Sequence, residues 1–266
     1  MSAKFTLEQI RNYWTGQALE HGQSSAASWS DQMMIDLEIR EILRRLEDGD
    51  RVLDIGCANG YSTVQFASQK QVDIRGLDYI PEMIKQARAR VNDLVANLRG
   101  KVEFDVGNIT SLREKRASYD KVIVIRVLIN LANWTSQLKG LQQCARVLKP
   151  GGILLLSEAT LQGWRNLNAF RQEWGLSNIR MPSFNHYVDE DKLVEATSDL
   201  RLLEVANFSS TYYVGTRVLK PLLIQALGAE INVADPNMHW NRWFAQLPSG
   251  GNYGTQKLFV FQKTLS

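Results

Sequence analysis

The residues whose types and spacing carry chemistry are Asp54, Gly56, Gly60 and Asp78. The run Asp54-Ile55-Gly56-Cys57-Ala58-Asn59-Gly60 follows a short apolar segment and leads into a helical pattern. A glycine turn placed there lets a ligand lie against the backbone at the carboxyl end of a first strand. A dinucleotide fingerprint needs glycines at 56, 58 and 61, but the chain has Ala58 and Tyr61, so a nicotinamide oxidoreductase is nearly excluded. Asp54 at the strand end suits a cationic ligand better than a pyrophosphate. Twenty-two residues after Gly56, Asp78 ends Gly76-Leu77-Asp78-Tyr79, where a carboxylate accepts hydrogen bonds from both hydroxyls of a ribose. Tyr79, Ile80 and Met83 offer apolar surface for an adenine. The amide in Gly107-Asn108-Ile109 has both donor and acceptor for that base's edge.

The elements that must position these residues follow from periodicity. Helical spacing of apolar residues spans Thr6 to Leu19 and Asp31 to Leu46, the second stopping at Glu47-Asp48-Gly49-Asp50. Val52 to Ile55 reads as a strand, Tyr61 to Lys70 as a helix, Val72 to Leu77 as a strand, and Pro81 to Leu98 as a helix. Val102 to Phe104 and Lys121 to Val127 are strands. Gln137 to Val147 is a helix and Ile153 to Ser157 a strand. Continuous apolar strands alternating with helices specify a parallel sheet covered on both faces. Beyond Glu158 the pattern predicts helices over Leu161 to Gly175 and Asp189 to Thr197, a loop over Pro182 to Tyr187, and strands over Leu200 to Ala206 and Leu258 to Gln262. The stretch Thr211 to Gly254, with Pro221, Pro236 and Pro248, is too long for a hairpin loop and is expected to form helices over one end of the sheet.

Composition narrows the class. The chain has 266 residues, 44% of them hydrophobic and 22% charged, which excludes disorder and fits one large domain. Its net charge of +3 is too small to argue for nucleic acid. No apolar run is long enough to span a membrane, and the first residues lack a signal-peptide layout. Two cysteines, Cys57 and Cys144, form neither a disulfide framework nor a zinc site. These features predict a cytoplasmic protein.

Five segments in order, VLDIGCANG, GLDYIPEMI, GNI, YDKVIVIRVLINL and ARVLKPGGILLLSE, give residues 51 to 158 a pattern that resembles the class I S-adenosylmethionine-dependent methyltransferases. There are two departures: Ala58 stands at the middle glycine, and Asn108 stands where aspartate is commoner. The resemblance implies an α/β fold, a Rossmann-like seven-stranded mostly parallel sheet with helices on both faces and a helical cap inserted near the C-terminal strands. It divides a single domain into an N-terminal helical lid (1–50), a cofactor-binding core (51–158) and a substrate cap with the last strands (159–266). It also implies that Asp54, Gly56 and Gly60 border the methionine end of S-adenosylmethionine and that Asp78 holds the ribose. Tyr79 and Met83 then flank the adenine, Asn108 and Ile109 meet its edge, and Arg126 lines the methionine side. Cys57 and Asn59 belong to the same loop, Cys57 as a small buried residue and not a nucleophile.

Methyl transfer from a sulfonium is a direct displacement that needs alignment and exclusion of water, with a base only for a hydroxyl or a protonated amine. Tyr13 and Trp29, flanking a Gly/Ser-rich stretch, are candidate lid aromatics over the cofactor. His186, in Phe184-Asn185-His186-Tyr187, is the leading general base. Asn130, Glu158, Arg165, Tyr187, Tyr212 and Tyr213 are the acceptor-side candidates; at most one of the two adjacent tyrosines should line the site, since neighbours on a strand face opposite ways. Arg165 and Arg217 would suit an acceptor bearing phosphate or carboxylate. Arg126 and Asn130 stand near where catechol-type relatives place an aspartate, so no metal is expected. The expected acceptor is a hydroxyl of a small metabolite or carbohydrate. The rivals are an RNA or protein methyltransferase and a catalytically silent cofactor-binding protein; nucleic acid is disfavoured, and oligomeric state is left open.

Overall fold

Short runs of branched and aromatic residues alternate with capped amphipathic helices, and this alternation builds the sheet. The computed structural model of the chain describes residues 6–94, 97–196, 198–228, 232, 235 and 237–265. Helix α1 (Leu7–His21) opens with a Thr6/Gln9 capping box, and α2 (Gln32–Leu43) is capped by Asp31. There follow β1 (Arg51–Ile55), α3 (Tyr61–Gln69), β2 (Asp73–Asp78), α4 (Pro81–Leu94), β3 (Lys101–Val106), β4 (Tyr119–Ile125), α5 (Trp134–Val147) and β5 (Leu148–Ala159). The second half adds α6 (Leu161–Glu173), α7 (Glu190–Glu195), β6 (Leu200–Ala206), α8 (Ser210–Val214), a π-helical turn (Gly215–Leu219), α9 (Lys220–Leu227), α10 (His239–Phe244) and β7 (Gln256–Lys263). Positions 95, 96 and 197 of the expected helices, Pro236 of the expected cap, and the chain's first five residues and last one lie outside the described residues.

The seven strands run in the order β3-β2-β1-β4-β5-β7-β6, the first five parallel and β7 antiparallel to both neighbours. The order reverses between β1 and β4, and such a switch point leaves a crevice at the carboxyl ends of those strands. β1 and β4 are buried on both faces, with Leu53, Val122 and Val124 packing one side and Val52 and Ile123 the other. This double burial is why their sequences read as unbroken apolar runs.

Several elements differ from the sequence expectation, and three of the differences bear on the site. β5 begins at Leu148 and passes through Lys149-Pro150-Gly151-Gly152 instead of starting after it, with Gly151 at φ +77°. β4 ends at Ile125, because Arg126 turns into the left-handed region at φ +53°. Tyr212 and Tyr213 sit on helix α8, not at a strand end. The interruption before β7 carries helices over 210–227 and 239–244, and its Tyr213 and Thr255 line the cavity.

Candidate active site

The crevice at the switch point is a cavity of about 430 Å³. Its floor is the loop after β1. Gly56 adopts φ +77°, and a Cβ there would stand 2.1 Å from Val127 Cγ2, so glycine is required both by conformation and by contact. Ala58 takes φ +48° without being glycine, and its N–H donates to Asp78 Oδ2 at 3.0 Å. Asp78 also accepts from the Ile80 N–H at 2.9 Å, which fixes the carboxylate at the cavity wall. Asp54 accepts from Thr63 Oγ1 at 2.6 Å. Burial pushes Asp54 up to about 7 and Asp78 up to about 6, and each lines the cavity. Among the described residues no lysine or arginine pairs with either. A donor set of two buried carboxylates without a resident cation fits a ligand that carries positive charge and hydroxyl groups.

Around this floor the sequence candidates Tyr13, Trp29, Cys57, Asn59, Tyr79, Met83, Asn108, Ile109 and Arg126 all line the cavity. Asn59 also donates to the carbonyls of Gly22 and Ser24 at 2.8 and 2.7 Å, tying the segment after α1 to the loop. Burial raises the Cys57 thiol well above its ordinary value, which agrees with an inert turn residue. Asn108 spends its Oδ1 on the N–H and hydroxyl of Thr110, both at 2.9 Å, leaving its amino group as the free end of the amide. Gly60 does not line the cavity. It caps α3 at φ +73°, and a Cβ there would meet the Phe104 ring at 2.6 Å, so its role is to let loop and core approach.

Arg126 is held from three sides. It pairs with the buried Glu38, lies 5.0 Å from the Trp29 ring, and reaches toward Ser28 Oγ at 3.5 Å. Glu38 also accepts from Ser157 and from Gln256 Nε2, the latter at 3.0 Å. Burial raises the Glu38 pKa, with Arg126 opposing the rise. Glu38 was absent from the sequence reading. Its signal was an acid placed between Ile35 and Ile42 on the apolar side of α2.

Over the mouth, Tyr13 packs against Phe184 at 4.9 Å between ring centroids, and Trp14 meets both rings edge-on. The N-terminal helix and the loop 182–187 therefore close on each other above the cavity. Asn185 Nδ2 donates to Asn130 Oδ1 at 3.1 Å, and Asn130 Nδ2 donates to the Arg126 carbonyl at 2.7 Å.

The family model described as a methyltransferase domain matches residues 46–199 of the chain. That span holds every strand from β1 to β5 and both cavity carboxylates. The chain belongs to the class I S-adenosylmethionine-dependent methyltransferase family.

The methyltransferase is 30% identical over 156 residues to the 27-O-demethylrifamycin SV methyltransferase of Amycolatopsis mediterranei, a match covering 55% of this chain and 53% of that protein. The chain thus spans about half the length of that curated relative. It is 26% identical to methyltransferase GfsG of Streptomyces halstedii over 76% of this chain and 72% of that one. Magnesium protoporphyrin IX methyltransferase from Synechocystis PCC 6803 with bound S-adenosylmethionine shares the fold at a TM-score of 0.60, with 12% identity and 99% and 100% of the two chains covered. S-adenosylmethionine is the cofactor of this family.

Four acceptor-side or catalytic expectations for the methyltransferase need correction. His186 does not line the cavity, although Pro182, Phe184, Asn185 and Tyr187 around it do. Its backbone N–H donates to the Ile129 carbonyl at 2.7 Å and its carbonyl accepts from Gln137 at 2.8 Å, so this position staples the loop to the turn after β4. Glu158 is fully buried behind the wall. It accepts from the N–H groups of Val127, Leu128 and Ile129 at 2.8, 2.6 and 3.3 Å, and burial lifts it to about 8. Arg165 projects from α6 into solvent, away from the cavity. Tyr212 is buried, its hydroxyl 2.8 Å from Asp31 Oδ1, whereas Tyr213 lines the cavity. One tyrosine of the pair does face the site, but helical rotation separates them, not strand alternation. Tyr187 and Asn130 line the cavity as expected. Arg217 pairs with Asp31 at 2.6 Å and is not among the lining residues.

Proposed function

We propose that the protein transfers a methyl group from S-adenosylmethionine to a hydroxyl oxygen of a small molecule enclosed beneath the α1 lid and the helical cap. The observation that carries the reading is the pair of buried carboxylates, Asp54 and Asp78, facing one cavity from adjacent strand ends without a cation beside them. The hydroxyl acceptor is supported by the rifamycin relative, a 27-O-demethylrifamycin SV methyltransferase, whose name places the methyl group on an oxygen.

When bound, S-adenosylmethionine supplies an electrophilic methyl group on a sulfonium. This chain's residues have separate tasks toward it. Asp78 accepts the ribose hydroxyls while its own backbone donors hold it in place. Asp54 faces the ammonium group, with Thr63 fixing its second oxygen. Tyr79 and Met83 flank the adenine, and Ile109 with the free amino end of Asn108 meets its edge. Arg126, neutralised by Glu38, offers its remaining N–H groups to the methionine end. Tyr13, Trp14 and Phe184 exclude water above the reacting atoms. The segment before β1 acts as lid, and residues after β5 form the acceptor side.

Calorimetric titration with S-adenosylhomocysteine tests the reading. One-site saturable binding is expected. Folded protein freed of ligand that shows no heat of binding would overturn it.

A further inference from the structure

On the acceptor side the cavity is lined by Tyr187, Tyr213, Phe184 and Pro182, with the side-chain amides of Asn130, Asn185 and Gln256 between them. These are rings, hydrocarbon, phenols and amides. The charged side chain at that end, Arg126, is already paired with Glu38. Arg217, which could have met an anion, is spent on Asp31 and stands over the Tyr213 ring at 4.8 Å, behind the wall. An acceptor carrying carboxylate or phosphate would therefore lose its hydration without gaining a free cation. A polyhydroxylated sugar would set many donors against rings and only a few amide oxygens, one of them, Asn130 Oδ1, already accepting from Asn185.

The same lining bears on the proton. Methylating a neutral hydroxyl releases a proton, and no histidine lines the acceptor side among the described residues. Burial raises both phenols above their ordinary value, so Tyr187 and Tyr213 act as hydrogen-bond donors and not as bases. A phenol ionises near pH 10, whereas an alkyl alcohol, like water, does so only near about 16. Without a histidine or carboxylate lining the acceptor side among the described residues, the acceptor supplies its own acidity.

We propose that the acceptor is an uncharged, ring-bearing compound whose reacting hydroxyl is a phenol or enol, with Tyr187 and Tyr213 donating to the oxygen as it ionises among the aromatic side chains that line the cavity. The inference rests on the methyltransferase reading. In the step, the acceptor O–H proton passes to water, the oxygen forms a bond to the methyl carbon, and the S–CH₃ bond breaks with its electron pair remaining on sulfur. The products are the aryl or enol methyl ether and S-adenosylhomocysteine.

Three matched probes test it: 2-naphthol, its ring-saturated counterpart decahydro-2-naphthol, and 2-naphthol sulfonate. Binding to protein loaded with S-adenosylhomocysteine is followed by calorimetry, and turnover with S-adenosylmethionine by the methyl ether formed. We expect 2-naphthol to bind and to be methylated, at a rate rising about tenfold per pH unit below the naphthol's own pKa. The sulfonate should bind at least tenfold more weakly, and the saturated alcohol should give no ether. Tyr187→Phe and Tyr213→Phe should each slow ether formation about tenfold while leaving S-adenosylhomocysteine affinity unchanged, which a merely structural loss would not do. Preference for the sulfonate or the saturated alcohol, or no binding by any of the three, would overturn the acceptor class. If S-adenosylhomocysteine itself fails to bind, the failure is that of the methyltransferase reading instead.

Discussion

Buried charge is handled in opposite ways at the two ends of this molecule. Beneath the cap and on β7, two buried charges meet an opposite charge within the fold: Arg217 pairs with Asp31, and the fully buried Lys257 with Glu190 at 2.5 Å. At the strand ends of the cofactor half, Asp54 and Asp78 are as deeply buried but receive only hydroxyl and backbone donors. Burial without a counter-charge is costly, and it persists in a fold where a ligand later provides the compensation. On the proposed function, the difference separates charges that build the scaffold from charges that wait for the cofactor. Glu158 also lacks a counter-charge, but it holds three backbone N–H groups and does not line the cavity, so it belongs to the scaffold.

The comparison can be broken most forcefully in the cap. Arg217→Ala leaves Asp31 buried with its charge uncompensated, and should lower unfolding free energy by about 3–5 kcal/mol. S-adenosylhomocysteine affinity should stay within a few-fold of wild type. Denaturant unfolding and calorimetry together check this, and a large loss of affinity with intact stability would reverse the assignment.

Acidity sharpens the other side. Asp54, Asp78 and Glu158 stand at about 7, about 6 and about 8 in the fold, all above an unfolded carboxyl, and burial raises Glu38 as well. A carboxyl raised in the folded state favours folding below its unfolded value, and that contribution is lost as pH rises through the folded one. The ligand-free protein should therefore melt several degrees lower at pH 8.5 than at pH 6. Saturating S-adenosylhomocysteine, which favours the ionised forms of Asp54 and Asp78, should narrow the gap. Scanning calorimetry at the two pH values with and without ligand decides it; a melting point that rises with pH would contradict the account. At the small end of the scale, Arg165→Ala on the exposed face of α6 should change neither stability by more than about 0.5 kcal/mol nor cofactor affinity.

The β1–β2 wall of the cavity was legible in the sequence because its constraints are local. A glycine loop after an apolar strand and a carboxylate at the next strand end lie within 25 residues, from Asp54 to Asp78, and the strand order brings them together. The acceptor half was less legible because its residues meet through long-range packing. Tyr187 and Tyr213 come from segments on different sides of β6, and nothing in their spacing marks them as neighbours. His186 misled for a related reason. A histidine among cavity residues looks catalytic in one dimension, but the loop uses its backbone and turns Asn185 and Tyr187 inward. Glu38 went unseen because an isolated acid on an apolar helix face shows its meaning only when Arg126, 88 positions away, lands opposite it.

The central claim is that Asp54 and Asp78 are kept without counter-charge for the cofactor's sake, and Asp78→Asn tests it most directly. Removing a desolvated charge from the empty site should leave the ligand-free melting point at pH 8 unchanged or higher. The lost charge-assisted bonds to the ribose should weaken S-adenosylhomocysteine binding by about 1.5–3 kcal/mol, or roughly 10- to 150-fold. A variant that binds as tightly as wild type, or one that loses stability without ligand while keeping its affinity, would contradict the account and return Asp78 to the scaffold.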